Sequence, residues 1–600
     1  MSFGGFMKKI IKNLRVKDVF ILILCVGLIV AQVWFDLQLP KYMMKITTLL
    51  ESNLTTVETI VKTGALMLLC SIGSVASSVL VGLLVSRLAT GFAMRLRANI
   101  FNTIQSFSIE QIKKFSTSSL ITRTTNDVMH VQQVISMGLQ AMIKAPIIAV
   151  WAISEMSSTN WQCSIATGIA VTILLTTLAI TGSIALPKFK QMQTLTDNIN
   201  LASQENLQGV RVIRAFNAEN YEQSKFNKVN NKLTKTGLFT SRIMGILNPM
   251  MSFVMSSLSL SIYIIGAILI NNIKIIDGSS IALRQTAFGE IMGFSSYASQ
   301  VIMAFMMMTM IFIILPRASV SAKRIAEVLN TKTSITDGAF SGETSLKGVI
   351  EFENVSFKYP DADECILENI SFKCNKGDVV AFIGSTGSGK STLINLVPRF
   401  YDATQGRVLV DGIDVKDYNL KTLRNKIGYI SQRAVLFSGS VSENISFGEL
   451  SNKNITDEDI DEALSIACAS NFVSKMQDKK DSFISRGGTN ISGGQKQRLS
   501  IARAIARKPE ILIFDDSFSA LDFKTDRKLR NNLDKHLNET TRLIVAQRIG
   551  TIKNANLIIV LDEGKVVGQG THNELINTCD VYKEIALSQL SEEEITNGTK

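Results

Sequence analysis

Six apolar stretches, at about 18–38, 59–86, 133–156, 161–187, 247–271 and 287–315, decide what this 600-residue chain can fold into. Each supplies the roughly 20 residues that a membrane-spanning helix needs. A soluble core absorbs one or two such stretches, not six. Ser, Thr and Gly are frequent inside them, as expected where helices pack closely in lipid. The mean hydropathy of +0.22 is high for a chain with 19% charged residues, and the excess lies in the first half.

The polar connections between the spans are uneven. Residues 87–132 carry Arg87, Arg95, Arg97, Lys113, Lys114 and Arg123. Residues 188–246 carry Lys188, Lys190, Arg211, Arg214, Lys225, Lys228, Lys232, Lys235 and Arg242. Only Ser157, Ser158, Thr159 and Asn160 separate spans three and four. Placing the basic N-terminus and both long loops in the cytoplasm satisfies the positive-inside rule, and six spans return the chain there at Arg317. The loops have helical periodicity, so the spans are expected to continue as helices beyond the bilayer. A net charge of +12 then reads as cytoplasmic segments beside anionic lipid, with no nucleic-acid partner. Residues 5–16 set Phe6, Ile10, Ile11 and Leu14 among Lys8, Lys9, Lys12 and Arg15, an amphipathic pattern suited to a membrane surface.

Asp36, Glu155 and Glu290 fall toward the outer side, as candidates for a substrate path or for plain interfacial placement. Met303, Met306, Met307, Met308 and Met310 suit an adaptable binding wall or ordinary helix packing. The seven cysteines form no CxxC or Cys/His cluster, so neither a disulfide framework nor a metal site of that kind is suggested.

From about residue 345 short strand-like runs at 349–352, 378–383, 408–410, 427–430, 511–514, 543–546 and 557–561 alternate with helix-like runs. Between the run at 379–383 and a helical run at 392–397 lies Gly384-Ser385-Thr386-Gly387-Ser388-Gly389-Lys390-Ser391-Thr392, the Walker A pattern. Glycines let successive backbone N–H groups curl around phosphate oxygens, and the following helix adds its dipole. Lys390 reaches the outer phosphates and Ser391 ligates Mg²⁺. A nucleoside triphosphate binds here.

These motifs, with those that follow, resemble the ATP-binding cassette of ABC transporters, and the whole chain resembles one half of an ABC exporter. Residues 317–325 are similar to the family's segment leaving span six, and 209–216 to its second cytoplasmic loop. The resemblance implies a six-helix, all-α transmembrane domain followed by an α/β P-loop cassette. It divides the chain into an amphipathic elbow at 1–17, a membrane domain at 18–325, a linker at 326–345, a cassette at 346–585 and a polar tail at 586–600. Coupling helices are expected near 115–122 and 215–224.

By the same resemblance Tyr359 stacks on adenine, Gln432 reaches Mg²⁺ or the attacking water, and Asp515 holds Mg²⁺ together with Ser391. Ser492-Gly493-Gly494-Gln495 is the signature that binds ATP held by an opposing cassette, and 519–522 is the loop between the two sites. Three positions depart from the family pattern. Asp516 stands where the family places its catalytic Glu, and Gln547 where it places a switch His. Residues 485–488 read Ser-Arg-Gly-Gly, without the acidic residue common in exporters.

The expected protein is therefore a subunit of an ATP-driven exporter in a bacterial cell membrane, with its cassette in the cytoplasm and ATP and Mg²⁺ as cofactors. Its own Walker site is expected to hold ATP and hydrolyse it weakly. Its signature serves a second half-transporter with the consensus Glu and His. Substrates are amphipathic drugs or lipid-like compounds. The alternatives are a homodimeric lipid or peptide exporter, and a regulatory ATP-binding subunit without hydrolysis of its own.

Overall fold

The computed structural model describes residues 15–51, 56–157, 161–273, 278–448 and 454–589. Most of the expected elbow, three residues of the turn between spans three and four, and the end of the polar tail lie outside these. The described chain forms two compact units, one of residues 1–105 and 117–331, the other of residues 106–116 and 332–600.

The first unit is all helix: α1 (Val16–Glu51), α2 (Val57–Gln105), α4 (Thr117–Thr124), α5 (Asn126–Gln133), α6 (Leu139–Ser157), α7 (Trp161–Ala215), α8 (Glu219–Gly245), α9 (Leu247–Asn272) and α10 (Gly278–Asn330); α3 (Ile109–Phe115) belongs to the second unit. A π turn, Val134–Gly138, joins α5 to α6 without a break. Among the described residues six helical stretches are long and apolar enough to cross a membrane. Several run far beyond a bilayer's thickness, as the periodic polar loops predict. Many hydroxyls inside them are satisfied locally. On α7 the hydroxyls of Thr167, Thr172, Thr176, Thr177 and Thr181 each donate to the carbonyl one turn back.

Close approach explains Gly289 and Gly293. A Cβ on Gly293 would lie 2.1 Å from Met44 Cγ, and one on Gly289 would lie 2.6 Å from Thr48 Oγ1. The two glycines, one turn apart, let α10 lie directly on α1. Met306, Met307 and Met308 pack against the unit's core, whereas Met303 is exposed. Glu290 is also exposed.

The second unit holds two main sheets. The larger runs in the order Lys565–Gly570, Leu557–Asp562, Val379–Gly384, Thr541–Val545, Ile511–Asp515, Ile427–Ile430. All pairings are parallel except that of the first two strands. Ile511–Asp515 and Thr541–Val545 are buried at every residue, in keeping with the apolar runs 511–514 and 543–546 in the sequence. The smaller, antiparallel sheet runs Leu367–Cys374, Ile350–Phe357, Gln405–Val410, Ile413–Asp414.

Two local expectations are corrected. The region near 115–122 is not one coupling helix. It divides between α3, which ends at Phe115, and α4, which starts at Thr117, with Ser116 in a positive-φ turn between them. At 215–224 there is a turn at Phe216, Asn217 and Ala218 that leads directly into α8. The left-handed Asn217 breaks the helix there.

Candidate functional site

The parallel strands set up the site. Val545 is in register with both Phe382 and Asp515, and Ile430 with Phe514. The residues just beyond these strand ends are therefore gathered at one edge of the sheet, the usual ligand edge of a parallel α/β sheet. They are the glycine loop after 379–384, Asp515 and Asp516, Gln547 and Gln432.

In the loop, Gly384, Gly387 and Gly389 have φ of 150°, 92° and 93°. A Cβ at Gly384 would lie 1.9 Å from the Leu561 carbonyl, so only glycine fits. Ser385, Thr386 and Gly387 are exposed at the tip and Ser388 is buried. The helix after the loop is Lys390–Ile394, earlier and shorter than the sequence run suggests. Lys390 Nζ donates to the carbonyls of Gly384 (2.9 Å) and Ser385 (2.6 Å) and to Ser388 Oγ (3.2 Å). Burial lowers its pKa and the nearby Asp516 opposes that.

Ser391 Oγ donates to Asp515 Oδ1 at 2.6 Å. A hydroxyl and a carboxylate this close offer the hard oxygen pair that Mg²⁺ takes beside phosphate oxygens. Tyr429 OH lies within hydrogen-bond distance of Asp515 Oδ2 (3.2 Å) and Asn395 Oδ1 (3.0 Å), so its single proton is donated to one or the other. Burial raises the Tyr429 pKa, so it remains a donor.

Asp516 is buried and has a left-handed φ of 46°. Its backbone N–H donates to the Val545 carbonyl, and its own carbonyl accepts from Ser519 Oγ at 2.8 Å. One carboxylate oxygen, Oδ2, accepts two amides: Gln547 Nε2 at 2.8 Å and Gln432 Nε2 at 3.1 Å. Burial raises the Asp516 pKa and the Gln432 hydrogen bond pulls against it. The two residues that depart from the family pattern, Asp516 and Gln547, are thus bonded to each other.

Tyr359 is brought to the loop's helix, with its hydroxyl 3.1 Å from Thr392 Oγ1, and meets Phe357 and Tyr401 edge to face. Lys113 of α3 stands over the Tyr359 ring at 5.4 Å and the Tyr401 ring at 5.6 Å. A hydrogen bond with Tyr401 raises its pKa against the effect of burial. Gln111 Nε2 of the same helix donates to Ser334 Oγ, and Ile109 packs on the cassette's core. A cation over aromatic faces contributes about 0.5–1 kcal/mol. Lys113→Met should therefore loosen α3, with amide exchange at 109–115 rising about two- to fivefold in hydrogen–deuterium exchange.

Ser492 to Gln495 lie elsewhere in the unit. Among the described residues no hydrogen bond or ion pair joins them to Lys390, Asp515 or Asp516. Ser492 caps the helix Gly493–Ala506: its Oγ accepts from Gln495 N–H, and Gln495 Oε1 accepts from Ser492 N–H at 2.9 Å. Ser492 and Gly493 are exposed, and a Cβ on Gly493 would meet nothing within 4 Å. An open, capped helix N-terminus suits an anion presented from outside.

Sequence reasoning missed Tyr429 and Lys113, and it placed Ser519 in the loop between the two sites without its bond to the Asp516 carbonyl. Tyr429 sits within the strand-like run 427–430, but nothing in a strand tyrosine announces a bond to Asp515. Lys113 carries the weak signal of a basic residue in a short helix.

A family model described as ABC transporter transmembrane region matches residues 20–305, and one described as ABC transporter matches 367–519. An uncharacterized ABC transporter ATP-binding protein of Mycobacterium tuberculosis is 38% identical over 544 residues, 88% of this chain and 89% of that protein. The ATP-dependent lipid A-core flippase of Pseudomonas fluorescens is 30% identical over 508 residues, 84% and 82% of the two chains. The solved structure of a bacterial Atm1-family ABC exporter with ATP bound has the same fold, with a TM-score of 0.79 at 23% identity, covering 96% of this chain and 100% of that one.

Proposed function

This chain belongs to the ABC transporter family, and on that premise we propose that it is a half-exporter for lipid-like amphiphiles whose own Walker site holds ATP more readily than it turns ATP over. As a family member it is a multi-pass membrane protein with a cytoplasmic nucleotide-binding domain. Working as a complex, it is an ATP-hydrolysing exporter that uses Mg²⁺.

One observation carries the slow-turnover reading: Asp516 Oδ2 is held by the amides of both Gln432 and Gln547. A general base must come within about 3 Å of the water it activates, and Asp is one methylene shorter than Glu. The two amides occupy Oδ2, one of the two oxygens a water could approach, while burial raises the Asp516 pKa. Gln547 hydrogen-bonds but takes no positive charge, unlike His. Lys390, the glycine cradle, Tyr359 and the Ser391–Asp515 pair are the groups that bind the nucleotide, and they are complete.

The lipid-like substrate class is supported by the relative named as a lipid A-core flippase. Two assemblies are consistent with this account. In one, two copies of the chain face each other as a homodimeric exporter. The comparisons fit this, since relatives of similar length match over most of both chains. In the other, a different half supplies Glu and His at the positions of Asp516 and Gln547, and this chain's Ser492-Gly493-Gly494-Gln495 completes that half's active site. The Asp516–Gln547 pair favours this second reading.

Reconstituting the purified chain in lipid vesicles, alone and with a half-transporter encoded beside it, tests the assembly. The heterodimer is supported if lipid flipping and ATP turnover appear only with the partner and fall at least tenfold with Ser492→Arg. Flipping and rapid turnover by the chain alone establish the homodimer.

A further inference from the structure

The third apolar stretch contains one lysine, Lys144, well inside α6. It lies 13 residues before Ser157, about 20 Å below the outer end of that helix at 1.5 Å per residue. Its ammonium meets Asp36 Oδ2 of α1 at 3.1 Å. Asp36 Oδ1 accepts from Ser74 Oγ of α2 at 2.5 Å. Gln300 of α10 donates from Nε2 to the Asp36 carbonyl at 3.2 Å, and its buried Oε1 has no hydrogen-bond partner among the described residues. Four membrane helices thus converge on one polar cluster. The Lys144 and Asp36 side chains keep 18% and 23% of their surface, so the pair is accessible as well as shielded.

A pair of charges removed from water gains little stability. Desolvation consumes most of the Coulombic attraction, and apolar replacements of such pairs are often neutral or stabilising. Inside a membrane domain, ionisable side chains mark substrate or ion paths by default. The charge inventory says which ligand fits. A simple anion drawn to Lys144 meets Asp36, and a simple cation drawn to Asp36 meets Lys144. A zwitterion answers both, with its anionic group on Lys144 and its cationic group on Asp36. The unpartnered Gln300 Oε1 adds a requirement, because it accepts only from a cation that carries N–H. A primary ammonium satisfies it and a quaternary ammonium does not.

We propose that Asp36, Lys144 and Gln300 form a head-group subsite for amphiphiles whose polar end combines a primary ammonium with a phosphate or carboxylate. This rests on the lipid-like export reading above and narrows it to a chemical class. Ser74 orients the Asp36 carboxylate. The second ion pair between the same two helices, Lys41 with Glu155 at 2.7 Å, lies nearer the outer end and stands outside the subsite.

The test uses the full chain in nanodiscs and a photoactivatable lipid probe bearing a phosphoethanolamine head. Matched probes carry phosphocholine and phosphoglycerol heads, and soluble O-phosphoethanolamine serves as competitor. Labelling by the phosphoethanolamine probe should exceed that by either other probe about tenfold. It should fall about tenfold in Lys144→Gln and Asp36→Asn. Gln300→Leu keeps both charges and should erase the preference for phosphoethanolamine over phosphocholine. Lys41→Gln should leave labelling unchanged, and ATP binding in every variant shows that the chain has folded. Competition by soluble O-phosphoethanolamine at millimolar concentration assigns recognition to the head alone; its absence assigns it to the head presented on acyl chains. Equal labelling by the phosphoglycerol probe, or wild-type labelling in Lys144→Gln and Gln300→Leu, overturns the subsite. Flipping of lipids without head-group preference overturns the subsite while leaving the export reading standing, and no flipping of any lipid removes both.

Discussion

Changing Asp516→Glu and Gln547→His together is expected to raise ATP turnover by the purified chain about 10- to 100-fold, with ATP affinity changed less than about threefold. The geometry behind this is local. Asp516 leaves the end of strand Ile511–Asp515 in a left-handed turn, tied through its N–H to Val545 and through its carbonyl to Ser519. The backbone therefore cannot advance to compensate for a shorter side chain. A misplacement of about 1 Å costs roughly 10²-fold in rate, which sets the scale of the expected gain. The single changes should not add up to the double. Asp516→Glu alone leaves the Gln547 amide bonded to the carboxylate, and Gln547→His alone leaves the carboxylate short, so coupling between bonded neighbours is expected. A steady-state ATPase assay of the four proteins, with nucleotide binding measured in parallel, gives the comparison. Wild-type turnover equal to that of the double variant would sink the argument.

Lys390→Ala is the change expected to do most to binding. Lys390 Nζ makes three hydrogen bonds inside the loop, to Gly384, Ser385 and Ser388. The side chain is both the cation offered to phosphate and the internal tether of a loop whose glycines adopt positive φ. Charged hydrogen bonds contribute about 1.5–3 kcal/mol each, so losing two corresponds to about 10²–10⁴ in affinity. Equilibrium titration with a fluorescent ATP analogue should show at least a 100-fold loss, with Lys390→Arg in between because its fork keeps the charge but not the shape. An affinity within threefold of wild type contradicts the assignment of Lys390 to the phosphates.

What was legible in the sequence follows from whether a property is contiguous in the chain. The spans are runs of apolar residues, and the glycine loop, the Ser492 cap and the strand carrying Asp515 are short motifs, so each could be read in place. The strands Leu367–Cys374 and Lys565–Gly570 were not read. Leu367–Cys374 exposes Glu368 and Asn369 in succession, which breaks its alternation, and Lys565–Gly570 contains two glycines, a glutamine and a lysine, which blurs the strand signal. Pairings across long separations were also invisible. Asp36 was noticed alone as a charge near the outer side, but its partner Lys144 lies in a different helix. The same holds for the bond from Gln547 to Asp516. Two departures from a pattern were read separately in the sequence, and only the fold makes them neighbours. The place of α3 in the second unit depends on Lys113, Gln111 and Ile109 meeting residues more than 200 positions away, and local periodicity carries nothing of that.

The central claim is that the site built on Lys390 and Asp515 retains ATP without spending it. The most direct measurement is the chemical identity of the nucleotide it keeps. The purified chain is incubated with Mg²⁺ and radiolabelled ATP for many minutes, freed of unbound nucleotide by rapid gel filtration, and its bound nucleotide is separated into ATP and ADP. The account predicts mostly intact ATP on the wild-type chain and mostly ADP on the Asp516→Glu, Gln547→His variant. ADP predominating on the wild-type chain contradicts it.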